Sequence, residues 1–450
     1  MMKRILTWSL ILIPFLFLIV MVAKYRVDVP AWDQWALVPL LEKSFDGTLT
    51  LNDLWAQHNE HRLVFPKLAM IFLARLSRWN ISYELALSIL LATGIFCALA
   101  FCLEKTFSSL LESELRWPFV SLSLMVFSLN QVENWLWGWN VQIFLNTLSG
   151  IGVIILMTRK RLRWRNILAA AILGIIAAYS YASGLLFFVI GALVIILSVS
   201  VPKKRRFLYA LFWSSISTVV IYSYLYHYRT PPQHPSLSLT LNSLLQYLKY
   251  VLTYLGAALF SSDVNPLMAF LAGAAGGLLF VLVLTMILAT KTIRAGGDLL
   301  PYLALSLYAL LTALLTGIGR AGFGTVQAMS PRYVAFSSLF WISLVVLMII
   351  LLRIDEPGGR QLARPARILL GCILGLIVTL SAMSSFHSRL LFKERCQFLD
   401  PARRELFSLK NEELLERIYP HLREIDRREM EQAVDVLRKK RLSVFRSDSP

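Results

Sequence analysis

Asp33 sits in the string Ala31-Trp32-Asp33-Gln34-Trp35, just beyond the first apolar run of the chain. Tryptophan prefers the headgroup level of a bilayer, so this string puts a carboxylate where a chain leaves the membrane. Indoles that shield such an acid from water raise its pKa toward a range useful for proton transfer. Glu133 is a second acid, in the short aromatic loop Asn130 to Asn140, and an acid at the mouth between two spans is either paired or used. His58, Glu60, His61 and Arg62 form the densest polar cluster. His58 and His61 would share a face of a helix and, with Glu60, could hold a divalent ion; the cluster could equally line a cavity, touch phosphate, or be a structural network. The order His-x-x-His lacks the Glu of a His-Glu-x-x-His zinc protease. Arg320 and Arg332 bracket a loop containing Gly322 and Gly324. Two guanidinium groups at span ends suit a lipid phosphate, because their planar donors pair its oxygens bidentately; snorkelling to headgroups is the ordinary alternative.

The elements that must position these residues are membrane helices. Hydrophobic residues make up 57% of the chain and charged ones 16%, with a mean hydropathy of +0.62, far more apolar than a soluble protein. The net charge of +18 would suggest nucleic acid in a soluble protein. Here the excess collects in short blocks between spans, Arg159 to Arg165, Lys203 to Arg206 and Arg353 to Arg367, as the positive-inside rule expects, so no nucleic-acid partner is implied. The four cysteines have no metal spacing and imply no disulfide framework.

A window of about twenty residues places about eleven spans near 5–23, 85–103, 117–130, 141–158, 166–181, 184–200, 207–226, 266–290, 299–318, 334–352 and 368–386. The turn around Tyr181 to Gly184 and the stretch Tyr247 to Phe260 are the ambiguous segments. The first run lacks a cleavage site and reads as a retained span. An odd count starting inside leaves the C-terminus outside and every basic block inside.

The expected fold is therefore an all-α polytopic membrane domain over residues 1–386 with a helical tail over 387–450 on the outer side. In the outer loop 24–84, Val38 to Phe45 and Leu51 to His58 read as short helices, and Leu63 to Trp79 as a helix lying in the interface with Lys67, Arg75 and Arg78 snorkelling. Trp135, Trp137 and Trp139 read first as an interfacial belt, with stacking on a sugar as the alternative. The third outer loop, with His227, Arg229, His234 and Asp263, could form an acceptor-side wall. The tail, with a capped helix from Asn411 and a second over Arg428 to Arg441, reads as a solvated appendage.

The order of the first third, a span, an acid, two interfacial helices and a Pro-containing apolar helix, resembles the GT-C class of integral-membrane glycosyltransferases, including protein mannosyltransferases and aminoarabinose transferases. Phe65-Pro66-Lys67-Leu68 stands where those enzymes commonly read Lys-Pro-Pro-Leu. The strings Glu133-Asn134-Trp135-Leu136-Trp137-Gly138-Trp139, Tyr181-Ala182-Ser183-Gly184-Leu185 and Gly319 to Tyr333 are similar to a group of uncharacterised bacterial polytopic membrane proteins. The resemblance implies a bacterial inner-membrane enzyme that moves a sugar from a polyprenyl phosphate to a glycan, lipid or protein at the outer face. It assigns Asp33 as base and Glu133 as the second acid, although the class more often has an aspartate where Asn140 and Gln142 stand. His58, Glu60, His61, Arg62, Trp137, Asn140, Arg320, Arg332 and Tyr333 would face substrate, and Asp33 or Glu60 could hold a cation such as Mg or Mn. The other reading is a transporter or flippase of lipid-linked saccharides, which should show paired repeats and ionisable groups at mid-membrane.

Overall fold

The computed structural model describes residues 2–110, 117–198, 201–231, 243–289, 299–353, 363–419 and 427–446. These residues are helix and turn without a strand. Among the described residues, eight helices are long and apolar enough to cross a membrane: Ile5–Tyr25, Ile81–Ser108, Gly138–Met157, Lys203–Leu225, Pro266–Leu288, Leu300–Phe323, Pro331–Leu352 and Arg364–Glu405. Trp164–Ala178 and Ala182–Leu197 are shorter apolar helices, and Trp117–Val126 has 10 residues. Each of the eleven expected segments thus contains a helix, but three fall short of the length that hydropathy alone assigned. Two of them meet at the turn that carries Tyr181, which lines the candidate site.

Pro331–Leu352 is the axis of the bundle, buried from Tyr333 to Leu351, so its apolar run faces protein on every side. Leu244–Gly256, the segment that hydropathy left ambiguous, packs beside the ends of two neighbours. The Tyr247 hydroxyl donates to Leu314 O at 2.9 Å, and the Trp341 indole donates to Leu255 O at 2.8 Å. A Cβ at Gly256 would lie 1.8 Å from Ala269 O and one at Gly273 1.8 Å from Leu252 O, so these two glycines permit the close approach of the antiparallel pair.

The loop 24–84 folds back onto the bundle. Val38–Asp46 and Leu51–Trp55 are helices, the second capped by Thr50, which accepts from the Asp53 N–H at 3.3 Å. Val64–Ser77 exposes Leu68, Phe72 and Leu76 on one stripe, as a helix lying against lipid requires. Its lysine does not snorkel. Lys67 is buried and donates to the carbonyls of Asp53, Leu54 and Ala56 at 3.3, 3.2 and 2.8 Å, closing the end of Leu51–Trp55. Burial, then the nearby Arg62 charge, push its pKa down to about 8. Arg75 stays exposed and donates to Ser44 O at 2.6 Å.

The tail is not a solvated appendage. Glu412–Glu416 and Arg427–Lys439 form where sequence places them, and Asn411 accepts the Leu414 N–H at 3.2 Å. Leu415, Ile418, Met430, Val434 and Leu437 are fully buried. Ile418 O accepts from the Trp32 N–H at 2.7 Å and the Trp35 indole at 2.9 Å, and the Trp32 indole donates to Arg417 O at 3.1 Å. Lys440 pairs with Asp46 and Arg446 with Asp28, whose carboxylate also caps the helix starting at Ile81 by accepting its N–H at 2.9 Å. First loop and tail therefore share one face. Mixed-sign charge concealed this, because the apolar residues of each tail helix are few.

Candidate functional site

On that face the first loop, the 126–141 connection, the turn between Trp164–Ala178 and Leu186–Leu197, and the 320–334 connection enclose a hollow of about 330 Å³. Asp33, His58, Glu60, His61, Trp137, Asn140, Arg320, Arg332 and Tyr333 all line it. His58 and His61 reach it from a tight turn and not from a helix. Each donates its main-chain N–H to the other's carbonyl, at 2.8 and 2.9 Å, and Asn59 takes φ +48° between them.

The Glu60 carboxylate receives the Arg320 guanidinium at 2.5 Å, and the His61 Nε2 stands 3.6 Å from the same oxygen. Burial opposes the charge on Glu60, yet the His61 ring and the Arg320 guanidinium overcome it and hold its pKa down to about 2. Burial pushes His61 down to about 4, with the Glu60 charge acting against it. Its ring is neutral at pH 7. Nδ1 accepts the Ala182 N–H at 3.2 Å, which leaves the proton on Nε2, facing Glu60. The trio is a fixed wall whose cation is Arg320.

Arg332 lies 3.3 Å from Glu133 and makes no side-chain hydrogen bond among the described residues. Glu133 is thus ion-paired, and it does not line the hollow. A third guanidinium stands behind it: Arg395, 4.6 Å over the Trp32 ring and within electrostatic reach of both Glu133 and Arg332. Sequence reading missed Arg395 because it lies in a tail segment of dense mixed charge, and only the docking of that tail brings it to the site.

Asp33 is less shielded than its flanking indoles suggested, with 36% of its side chain exposed. Trp32 and Trp35 face the tail instead. Asp33 Oδ1 stands 3.5 Å from His58 Nε2, which is buried and has no hydrogen bond, and the His58 ring meets Trp139 at 4.8 Å between centroids. The three tryptophans of the second connection form no belt. Trp135, Trp137 and Trp139 are all buried, and the Trp137 indole donates to Ala31 O at 2.9 Å. Gly138 is required among them, because a Cβ there would lie 1.9 Å from the Glu84 carboxylate. Glu84, fully buried, accepts from Gln34 at 2.8 Å and from the Trp79 indole at 2.9 Å, pinning three segments together.

Asn140 belongs to a chain of buried amides, donating to Asn134 at 3.0 Å, which in turn donates to Gln131 at 3.2 Å. Tyr333 stacks on Tyr254 and accepts from Gln327 at 2.8 Å. Arg62 does not reach the hollow. Its guanidinium donates to Tyr224 O at 2.7 Å, to Trp55 O at 3.0 Å and to Tyr226 O, so it fastens the first loop to Lys203–Leu225. Asp263 pairs with His387 at 2.7 Å, away from the site residues, and His234 lies outside the described residues. No three His, Cys, Asp or Glu side chains gather as metal ligands among the described residues.

A second hollow, about 500 Å³, lies between the first loop and the tail, lined by Trp32, Trp35, Tyr419, Glu42 and Glu429 among others. Asp33 and His58 are the residues common to both hollows. No family model, curated protein or solved structure matches this chain. Function is therefore argued from the site and not from ancestry.

Proposed function

We propose that the protein is a glycosyltransferase that takes a sugar from a polyprenyl phosphate at the outer face of the membrane. The observation that carries this reading is the partition: one hollow rich in guanidinium, one rich in aromatic and acidic groups, and an acid beside a histidine between them. In the first hollow the donor phosphate is held by Arg332, which is ion-paired with Glu133 but makes no side-chain hydrogen bond among the described residues, together with Arg320. Phe323 lines the same hollow at 48% exposure, with Val326 at 69% beside it, giving the prenyl chain an apolar way out to lipid. The second hollow admits a hydroxyl-bearing acceptor, a glycan, lipid or protein, against Trp35 and Tyr419.

The acceptor oxygen attacks the anomeric carbon, the bond from that carbon to the phosphate oxygen breaks, and polyprenyl phosphate leaves with the electron pair. Asp33 takes the acceptor proton, with His58 Nε2 orienting its carboxylate. The Glu60 carboxylate is engaged by Arg320. Purified protein in proteoliposomes, offered a panel of polyprenyl phosphate hexoses and pentoses, tests the reading. Asp33→Asn should abolish release of polyprenyl phosphate while leaving membrane levels unchanged; undiminished release removes Asp33 from the mechanism.

A further inference from the structure

The four helices that build the site also build a hollow at their opposite ends. The site uses the start of Ile81–Leu110, the start of Val141–Met157, the end of Trp164–Ala178 and the end of Leu300–Arg320. The other ends of these same helices supply Phe101, Cys102, Lys105 and Thr106, Ile155 with Thr158, Arg163, Arg165 and Asn166, and Pro301, which enclose about 460 Å³ on the opposite face. Its lining includes Lys105, Arg159, Lys160, Arg161, Arg163 and Arg165, and among its described residues there is no Asp or Glu.

Topology alone accounts for basic residues in a loop, but not for their arrangement around a concavity. The turn that bears them is fastened down. Leu162 is buried, Trp164 packs edge-on against Tyr209 at 4.7 Å and Phe212 at 5.5 Å, and the Arg163 N–H is accepted by Asn166 at 3.1 Å. Arginines gathered around one concavity attract an anion that enters it. The walls are apolar where they run down the second span, and Phe101 is 55% exposed toward the membrane.

We propose that this hollow binds the phosphate headgroup of an anionic phospholipid, the guanidinium groups taking the phosphate oxygens and Phe101, Ile155 and Pro301 the start of the acyl chains. The shared chemistry is a phosphate anion, and the apolar wall selects the lipid over a free phosphate compound. This inference does not depend on the transferase reading.

The test is thermal unfolding of the full-length protein in dodecyl maltoside with added cardiolipin, phosphatidylcholine or sodium pyrophosphate. Cardiolipin should raise the midpoint and phosphatidylcholine should not. The triple variant Arg159→Gln, Arg161→Gln, Arg163→Gln, exposed positions whose loss leaves the lipid-free midpoint in place, should weaken the apparent affinity on the order of a hundredfold, at about 1 kcal/mol per cation. If pyrophosphate reproduces the full rise, the site takes free phosphate and the lipid assignment falls. If the triple variant responds like the wild type, or phosphatidylcholine works as well as cardiolipin, the proposal is overturned.

Discussion

Replacing Arg320 with Gln removes the cation that holds the Glu60 carboxylate charged inside the hollow. Side chains of both partners are about one-fifth exposed, at 20% and 19%, so the pair is buried enough to matter. Removing one partner of a buried ion pair costs about 3–5 kcal/mol, because a charge is left without compensation. Burial, opposed by the Glu60 charge, holds the His61 pKa down to about 4, so in the intact site Arg320 is the cation that faces Glu60 at pH 7. The partial opening of the hollow puts the cost near the lower bound, about 3 kcal/mol. At no more than about 2 °C per kcal/mol for a long chain, the melting midpoint should fall by roughly 3–6 °C. Intrinsic fluorescence of the 12 tryptophans in detergent reads this directly. The double variant Glu60→Gln, Arg320→Gln removes the stranded charge and should recover all but about 1 kcal/mol. A double variant as unstable as Arg320→Gln alone would refute the reasoning, because the loss would then come from packing and not from charge.

Acidification should destabilise the site in two steps. His61 is depressed from 6.5 to about 4, so the unfolded chain binds more protons in that window and stability falls as pH drops through it. Glu60 is depressed from 4.5 to about 2, and its contribution, present above 4.5, is lost as pH falls toward 2. Unfolding midpoints measured from pH 7 to 4 should decline, and His61→Gln should flatten the decline. Gly138→Ala forces a methyl onto the Glu84 carboxylate at a position where three segments meet, and should cost about 2 kcal/mol or more in denaturant unfolding. Trp35→Phe removes the indole donor to Ile418 O and should speed amide exchange in 412–419 while leaving the membrane helices protected.

Much of the architecture was legible because apolar length is written in consecutive residues. The segment around Tyr181 was ambiguous for a physical reason: its helices are short where the site cuts into the bundle. Nine of the eleven expected site residues line one hollow, because polar residues at the ends of membrane helices have few other places to go. Glu133 and Arg62 fall outside, since their charges are satisfied by Arg332 and by main-chain carbonyls, partners that spacing cannot reveal. The indoles beside Asp33 misled for a similar cause. Tryptophan at a membrane exit looks the same whether it faces headgroups or, as Trp32 and Trp35 do, a tail nearly four hundred residues away. Arg395 and the second hollow depend on that same docking and had no local signature.

The most direct measurement of the central claim is equilibrium binding of undecaprenyl phosphate to the purified protein by native mass spectrometry, comparing wild type, Arg332→Gln and Asp33→Asn. Wild type and Asp33→Asn should bind alike, since the acid serves the acceptor's proton and not the phosphate, while Arg332→Gln should bind at least tenfold more weakly, about 1.4 kcal/mol. Equal binding by all three, or none by the wild type, would contradict the account.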